Sequence, residues 1–282
     1  KFTSFIGGII RGYESNIILN GNKIFLVEAD EYDKTFLKIK PNIASIINID
    51  GDHYDIYSNI YELKKSFKKF TKNLIEGGIL FHDSSLDFNG FSFGFDSNSN
   101  AQIINLTHTE GKSIFDIKIN DDVFKNVELN MAGAHNAMNA LVAFLIAIEL
   151  KVEPKIILNS LKSFPGVKRR FSIELHDPKV FIDDYAHHPS EILSVYNSII
   201  SIYPNKKNLV IFQPHLFSRT KDFLIDFARA LEKFDKIALL DIYPAREEPI
   251  KGISSKSILD HINNKNKLLI SKSEIYDLVK ED

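Results

Sequence analysis

The chain has 282 residues, enough for two domains, with 35 Lys and Arg set against 37 Asp and Glu for a net charge of −2. That balance leaves no basic surplus for nucleic acid, and the absence of cysteine excludes disulfides, thiolate metal sites and a thiol nucleophile. No apolar run reaches membrane-spanning length and no secretory leader is visible, although the chain opens at Lys1, so the starting expectation is a soluble cytoplasmic α/β enzyme.

Taken in order, Asn20-Gly21 is a turn signal, and Asn16–Leu19 and Ile24–Val27 are predicted to pair across it as a hairpin. Ile24–Val27 and Ile43–Ile49 are short apolar runs that each end in acidic residues, as strands buried on both faces of a parallel sheet do. Ligands in such sheets bind beyond the carboxyl ends of the strands. That places Glu28, Asp30 and Glu31 near Asp50, Asp52 and His53 at one sheet edge. Crowded carboxylates beside an imidazole repel one another and need a cation; one or two carboxylates suit Mg²⁺, which shares its other positions with water and phosphates. Acidic strand ends also occur with no ligand, and both readings stand at this point.

Ser58 reads as the N-cap of a helix on which Leu63, Phe67, Phe70 and Leu74 recur at helical spacing, with lysines on the solvated face. Gly77-Gly78 stops it, and Ile79–Phe81 is a strand. From Phe88 to Leu129 the pattern alternates, as in Phe91, Phe93 and Phe95 and in Ile117 and Ile119, with a turn at Asp121-Asp122, which predicts a small antiparallel insertion. The stretch 133–140 then opens the apolar helix Leu141–Leu150. Asn136 and Asn139 are three apart, so they share a face where two carboxamides could bracket a planar base; alternatively one caps the helix and the other is incidental.

Phe164-Pro165-Gly166 is the linker candidate and divides residues 1–165 from 166–282. Beyond it the strands Val180–Ile182, Leu209–Phe212, Ile237–Leu240 and Leu268–Ile270 alternate with the helices Ser190–Ile202, Asp222–Phe234, Ser255–Ile262 and Ser273–Lys280, which predicts a parallel sheet in a second domain. Polar residues collect after its strands at Asp183–Pro189 and Gln213–Thr220. Adjacent side chains diverge, and His187-His188 has no third ligand spacing, so hydrogen bonding is favoured over metal binding there. Arg169-Arg170 could reach a phosphate, or be a solvated basic pair.

Seven stretches together resemble the Mur ligases: E-A-D-E-Y-D (28–33), N-I-D-G-D-H-Y-D-I-Y (48–57), G-A-H-N-A-M-N-A (133–140), F-P-G-V-K-R-R-F (164–171), D-D-Y-A-H-H-P-S-E (183–191), F-Q-P-H-L-F-S-R-T (212–220) and Y-P-A-R-E-E-P-I-K-G (243–252). They fall in the family's order and cover nearly the whole chain. The resemblance implies an α/β fold: a truncated P-loop-type central ATPase domain with a small antiparallel insertion, then a Rossmann-like parallel-sheet C-terminal domain. It implies ATP and Mg²⁺ as cofactors and a reaction that activates a UDP-sugar carboxylate as an acyl phosphate for attack by an amine. It is closest to the branch that takes UDP-N-acetylmuramate and L-alanine. Ala29, where the muropeptide-recycling branch usually has glycine, and the Y-P-A-R-E-E-P segment favour that branch over the tripeptide-adding one.

By the same resemblance Glu28 and His53 are the metal ligands, Asn136 and Asn139 contact adenine, and Arg170 reaches the ATP phosphates from the C-terminal domain. Asp184 approaches the nucleotide, and His187, His215 and Arg219 meet the muramoyl or amino-acid end. No residue is identified as the general base. Three features depart from the family pattern. No G-x-x-x-x-G-K-S/T loop is present, Leu216 stands where many relatives have Arg, and the chain is expected to begin inside the central domain and to stop before the family's last glycine-containing segment. Without that loop the chain alone is expected to lack ligase activity and to bind ATP weakly, and a non-catalytic nucleotide-binding relic is the rival reading.

Overall fold

The computed structural model describes residues 1–51, 56–109, 111–175 and 179–281. They form two compact units, Lys1–Tyr185 and Ala186–Asp282.

In the first unit, β1 (Phe2–Phe5), β2 (Ile17–Leu19) and β3 (Ile24–Val27) make a three-stranded sheet of order β2-β1-β3. β1 is antiparallel to β2 and parallel to β3. The predicted hairpin of β2 with β3 therefore does not form. The Asn20 N–H donates to the Phe2 carbonyl (2.9 Å) and the Thr3 hydroxyl to the Gly21 carbonyl (2.6 Å), so the turn wraps around the start of β1. Gly21 has φ +134°, and a Cβ there would lie 2.3 Å from that of Lys1, which reserves the position for glycine. Nor is β3 buried on both faces: all four of its residues are exposed, because among the described residues only β1 borders it.

A second sheet has the order β4 (Ile43–Ile46), β5 (Ile79–Asp83), β6 (Phe91–Gly94), β7 (Ala101–Thr109), β8 (Lys112–Ile119), β9 (Asp122–Leu129). β4 to β7 run parallel, and β7, β8 and β9 form an antiparallel meander. The antiparallel segment expected over Phe88–Leu129 is thus the β7–β9 part, which extends the parallel sheet, while β6 is parallel to both β5 and β7. One face packs on α2 (Ala134–Glu149) and α3 (Pro154–Ser163) around the fully buried Phe93, Phe115, Ile117, Leu141 and Phe144. α3 has a sequence signal, proline at its first turn, that the pattern reading passed over. Ala44, Ile46 and Leu80 cluster instead with Phe36 and with Phe67 and Phe70 of α1 (Ile60–Thr71). The cap of α1 is Asn59, whose side chain accepts the Glu62 N–H at 3.0 Å, one residue beyond the predicted Ser58.

β10 (Ser172–Leu175) pairs antiparallel with β11 (Phe181–Asp183), so β11 is not a strand of the second unit's parallel sheet. By its contacts the first unit runs to Tyr185 and so includes the Phe164-Pro165-Gly166 segment expected as the linker. That linker is tied into the first unit: the Arg11 N–H donates to the Gly166 carbonyl and the Lys168 N–H to the Ile9 carbonyl, both at 2.9 Å, and Ile10 bridges Val167.

The second unit has the predicted parallel sheet of β12 (Leu209–Phe212), β13 (Lys236–Leu239) and β14 (Lys267–Leu269). Its helices are α4 (Pro189–Ile202), α5 (Phe217–Asp222), α6 (Leu224–Leu231), α7 (Ser255–Asp260) and α8 (Ile275–Glu281). The helix predicted over Asp222–Phe234 is α6; the unpredicted α5 precedes it, and Phe223 separates the two with a φ of −112° and ψ of 22° that leave the helical region. Phe227, Leu231, Ile237 and Ile258 form its core. Among the described residues no helix is long and apolar enough to cross a membrane.

Phe144 is fully buried with its ring centroid 4.8 Å from that of Phe124. Phe144→Ala is expected to lower unfolding free energy by about 3–5 kcal/mol, read from urea denaturation, through lost burial and the cavity left behind.

Candidate functional site

The acidic residues after β3 and β4 leave different sheets, so they do not line one sheet edge as expected. Tyr57 links the two segments. Its hydroxyl donates to the Glu31 carbonyl at 2.7 Å, and its ring is buried. Burial, then the charges of Glu31 and Asp30, push its pKa up to about 12, so the phenol stays a neutral donor. Sequence reasoning missed Tyr57, although it closes the 48–57 motif. Among the described residues no three His, Asp or Glu gather as a metal site. Asp52 and His53, and with them one of the two expected metal ligands, lie outside the described residues. Glu28 sits just past the end of β3, where its Oε2 accepts the Gly7 N–H at 2.6 Å.

From Glu28 a run of contacts leads to Asn136. Gly7 holds the carboxylate, and the next residue, Gly8, approaches Val167 so closely that a Cβ would stand 2.7 Å from Cγ1. Val167 lines a cavity of about 350 Å³ with Arg11, Lys112, Asn130, Ala132 and Arg170. The carbonyl of Ala132, one of the lining residues, accepts from Asn136 Nδ2 at 2.7 Å. Asn136 is buried and Asn139 exposed, so the two straddle the boundary of the helix face instead of sharing it. Neither caps α2. The cap position is Gly133, whose φ of +108° few side chains would tolerate.

Arg170 and Asp184 fall in the first unit. Asp184 Oδ2 accepts the Phe171 N–H at 2.7 Å, which fixes the backbone beside Arg170. Arg169 instead lies over the Tyr185 ring, 4.7 Å from its centroid. Arg11 pairs with Glu174.

A second residue that sequence reasoning missed is His108. Its Nδ1 lies 3.0 Å from Ser113 Oγ and 3.5 Å from the Gly133 nitrogen, while Ser113 Oγ donates to the Met131 carbonyl at 2.8 Å. The pair thereby holds the turn that delivers α2. Burial pushes the His108 pKa below its ordinary value.

In the second unit the 212–220 and 243–252 stretches are bound together. Backbone bonds join Leu216 N–H to the Tyr243 carbonyl (3.0 Å) and Tyr243 N–H to the Pro214 carbonyl (2.8 Å). Glu247 accepts the hydroxyl of Ser218, and its N–H at 3.0 Å. Burial alone would raise the Glu247 pKa; the Ser218 hydroxyl, the Ser218 and Phe217 N–H groups and the Arg219 charge outweigh it, and the net shift is downward. Arg219 is buried, with one guanidinium nitrogen 3.4 Å from His215 Nδ1. The His215 ring stacks on Tyr243 at 5.5 Å and meets His187 edge-on at 6.3 Å. The three residues expected at the substrate end are therefore neighbours within this unit. Leu216 has φ +72°, a strained backbone for a leucine.

Comparison with known proteins gives a consistent match. Residues 16–147 match the Mur ligase middle domain, and residues 169–281 the glutamate ligase domain of Mur ligases. The UDP-N-acetylmuramate–L-alanine ligase of Christiangramia forsetii is 48% identical over 100% of this chain and 63% of its own length. That of Flavobacterium psychrophilum is 46% identical over 99% of this chain and 62% of its own. The crystal structure of UDP-N-acetylmuramate-alanine ligase MurC from Thermotoga maritima superposes with a TM-score of 0.80 at 27% identity, covering 98% of this chain and 62% of that one. The chain thus spans about 62% of the length of the relatives it matches.

Two outcomes are expected. Because the unfolded chain takes up the His108 proton more readily than the folded one, stability tied to His108 is complete above about pH 6.5 and is lost as pH falls from there through the lowered folded value. The melting temperature should fall less between pH 7.5 and 5.5 for His108→Gln than for the native chain. Glu247→Gln removes the charge from three hydrogen bonds and from the buried Arg219, and should cost about 1–3 kcal/mol in urea unfolding at pH 7.

Proposed function

Because the chain belongs to the Mur ligase family, we propose that it forms the central and C-terminal parts of a cytoplasmic, ATP-dependent ligase that joins L-alanine to UDP-N-acetylmuramate in peptidoglycan precursor synthesis. In this reading the functional boundary is the Phe164-Pro165-Gly166 linker. The observation that carries the nucleotide part is the cavity lined by Lys112, Arg170 and Arg11, the last paired with Glu174, and by Ala132, whose carbonyl anchors Asn136. Its volume suits a small ligand, and its cations suit phosphate oxygens. The alanine part is supported by the names of relatives at 46–48% identity.

A carboxylate is a poor electrophile because its charge repels an amine. Phosphorylation gives an acyl phosphate, the amine attacks, and phosphate departs. The protein's task is positioning and charge neutralisation. Asn136, held by the Ala132 carbonyl, orients the base, with Asn139 at the exposed rim. Arg170, braced by Asp184 through the Phe171 N–H, meets phosphate. Glu28 keeps one oxygen on the Gly7 N–H and offers the other to a cation. A single carboxylate fits Mg²⁺, which binds proteins through few carboxylates together with substrate phosphates; His53 is the proposed second ligand. When bound, Mg²⁺ supplies charge neutralisation on the transferring phosphoryl group. His187, His215 and Arg219 serve the muramoyl or amino-acid end.

In the longer protein, Glu28→Ala should lower turnover by at least about 10²-fold, read as phosphate release. Turnover with L-alanine should exceed that with tripeptide. Preference for tripeptide would move the protein to the muropeptide-recycling branch, and no turnover with either would leave the nucleotide-binding relic.

A further inference from the structure

We infer that Ser113 is a positioning residue for the nucleotide base: through the Met131 carbonyl it fixes the backbone on which Asn136 is anchored, and so sets the preference for an amino purine over an oxo purine. This rests on the nucleotide reading above. Ser113 is fully buried on β8, in register with His108 of β7 on one side and Leu129 of β9 on the other. Its Oγ donates to the Met131 carbonyl at 2.8 Å. A hydroxyl carries one hydrogen, so toward His108 Nδ1, 3.0 Å away, Oγ accepts and the imidazole donates. The result is a chain of hydrogen bonds from the sheet to the backbone just before α2.

Met131 and Ala132 are adjacent residues of the cavity wall. The Met131 carbonyl is taken by Ser113, and the Ala132 carbonyl by Asn136 Nδ2 at 2.7 Å. The second bond fixes which way the buried carboxamide lies. One amide hydrogen is committed to Ala132, which leaves the oxygen and the other hydrogen, an acceptor beside a donor. Adenine offers the matching pair, an amine beside a ring acceptor, whereas an oxo purine puts an acceptor where the amine would be. Asn136 can discriminate between them only while Ala132 stays in place. Gly133, next in the chain, has φ +108° and no side chain, so the side-chain grip on this segment comes from Ser113 and from Asn136 itself.

The test uses the intact ligase with UDP-N-acetylmuramate and L-alanine. It compares kcat/KM for ATP with that for inosine triphosphate, whose base carries an oxo group in place of the adenine amine. The native enzyme should favour ATP by about 10–10²-fold. Ser113→Ala should lower that preference about five- to tenfold, through a higher KM for ATP more than through kcat. Ser113→Cys, nearly isosteric with a weaker donor, should shift it the same way by less. Asn136→Ala should remove most of the preference, and adding Ser113→Ala to it should change the preference no further, because Ser113 acts through Asn136. A preference unchanged in both Ser113 variants, or lowered by the same factor with and without Asn136, would overturn the proposal, as would a native enzyme that uses the two nucleotides equally. If the native enzyme turns over neither nucleotide, the ligase reading itself fails and this inference with it.

Discussion

The strap between Ile9–Arg11 and Gly166–Lys168 is the constraint on which the first unit's site depends. Its two backbone hydrogen bonds contribute about 0.5–1.5 kcal/mol each, a modest sum. Their consequence is geometric. They set the segment that holds the Glu28 carboxylate against the segment that carries Arg170, although the two are far apart in the chain. The absence of a side chain at Gly8 is what allows that approach, since a Cβ would collide with Val167. Arg11, Gly166, Val167 and Arg170, which this closure brings together, all line the cavity.

Electrostatics around the strap are arranged to keep groups in one protonation state. Tyr57 is held neutral by burial and by the Glu31 and Asp30 charges, so it remains a donor to the Glu31 backbone across the working pH range. Burial favours the neutral form of His108, whose Nδ1 meets Ser113 Oγ beside the Gly133 turn. Each ties a loop bearing motif residues to the scaffold by a bond that a change of charge would disrupt.

The second unit solves the same problem with a carboxylate. Glu247, ionised against its own burial, grips Ser218 at the start of α5 and offsets the buried Arg219. Arg219 in turn meets His215, and His215 meets His187. Leu216 accepts a strained backbone within this loop, held on one side by Tyr243 and on the other by α5. Strain of this kind costs about 1–3 kcal/mol and persists where the surroundings over-determine the backbone.

The sequence by itself determined the elements with strong local signals: the parallel β12, β13 and β14, the amphipathic α1, the apolar α2 and the alternating strands of the meander. It also determined the family, because seven motifs in register are specific even where each alone is weak. Periodicity reports which face of an element is apolar, not which neighbour covers it. So only the tertiary structure decided that β1 enters between β2 and β3, that β11 pairs with β10, and that β3 and β4 belong to different sheets. The same limit applies to side chains. Spacing could not separate the buried Asn136 from the exposed Asn139, or the capping His188 from His187 beside Glu191. Their roles are set by partners that approach through space, and nothing in a linear pattern encodes that distance.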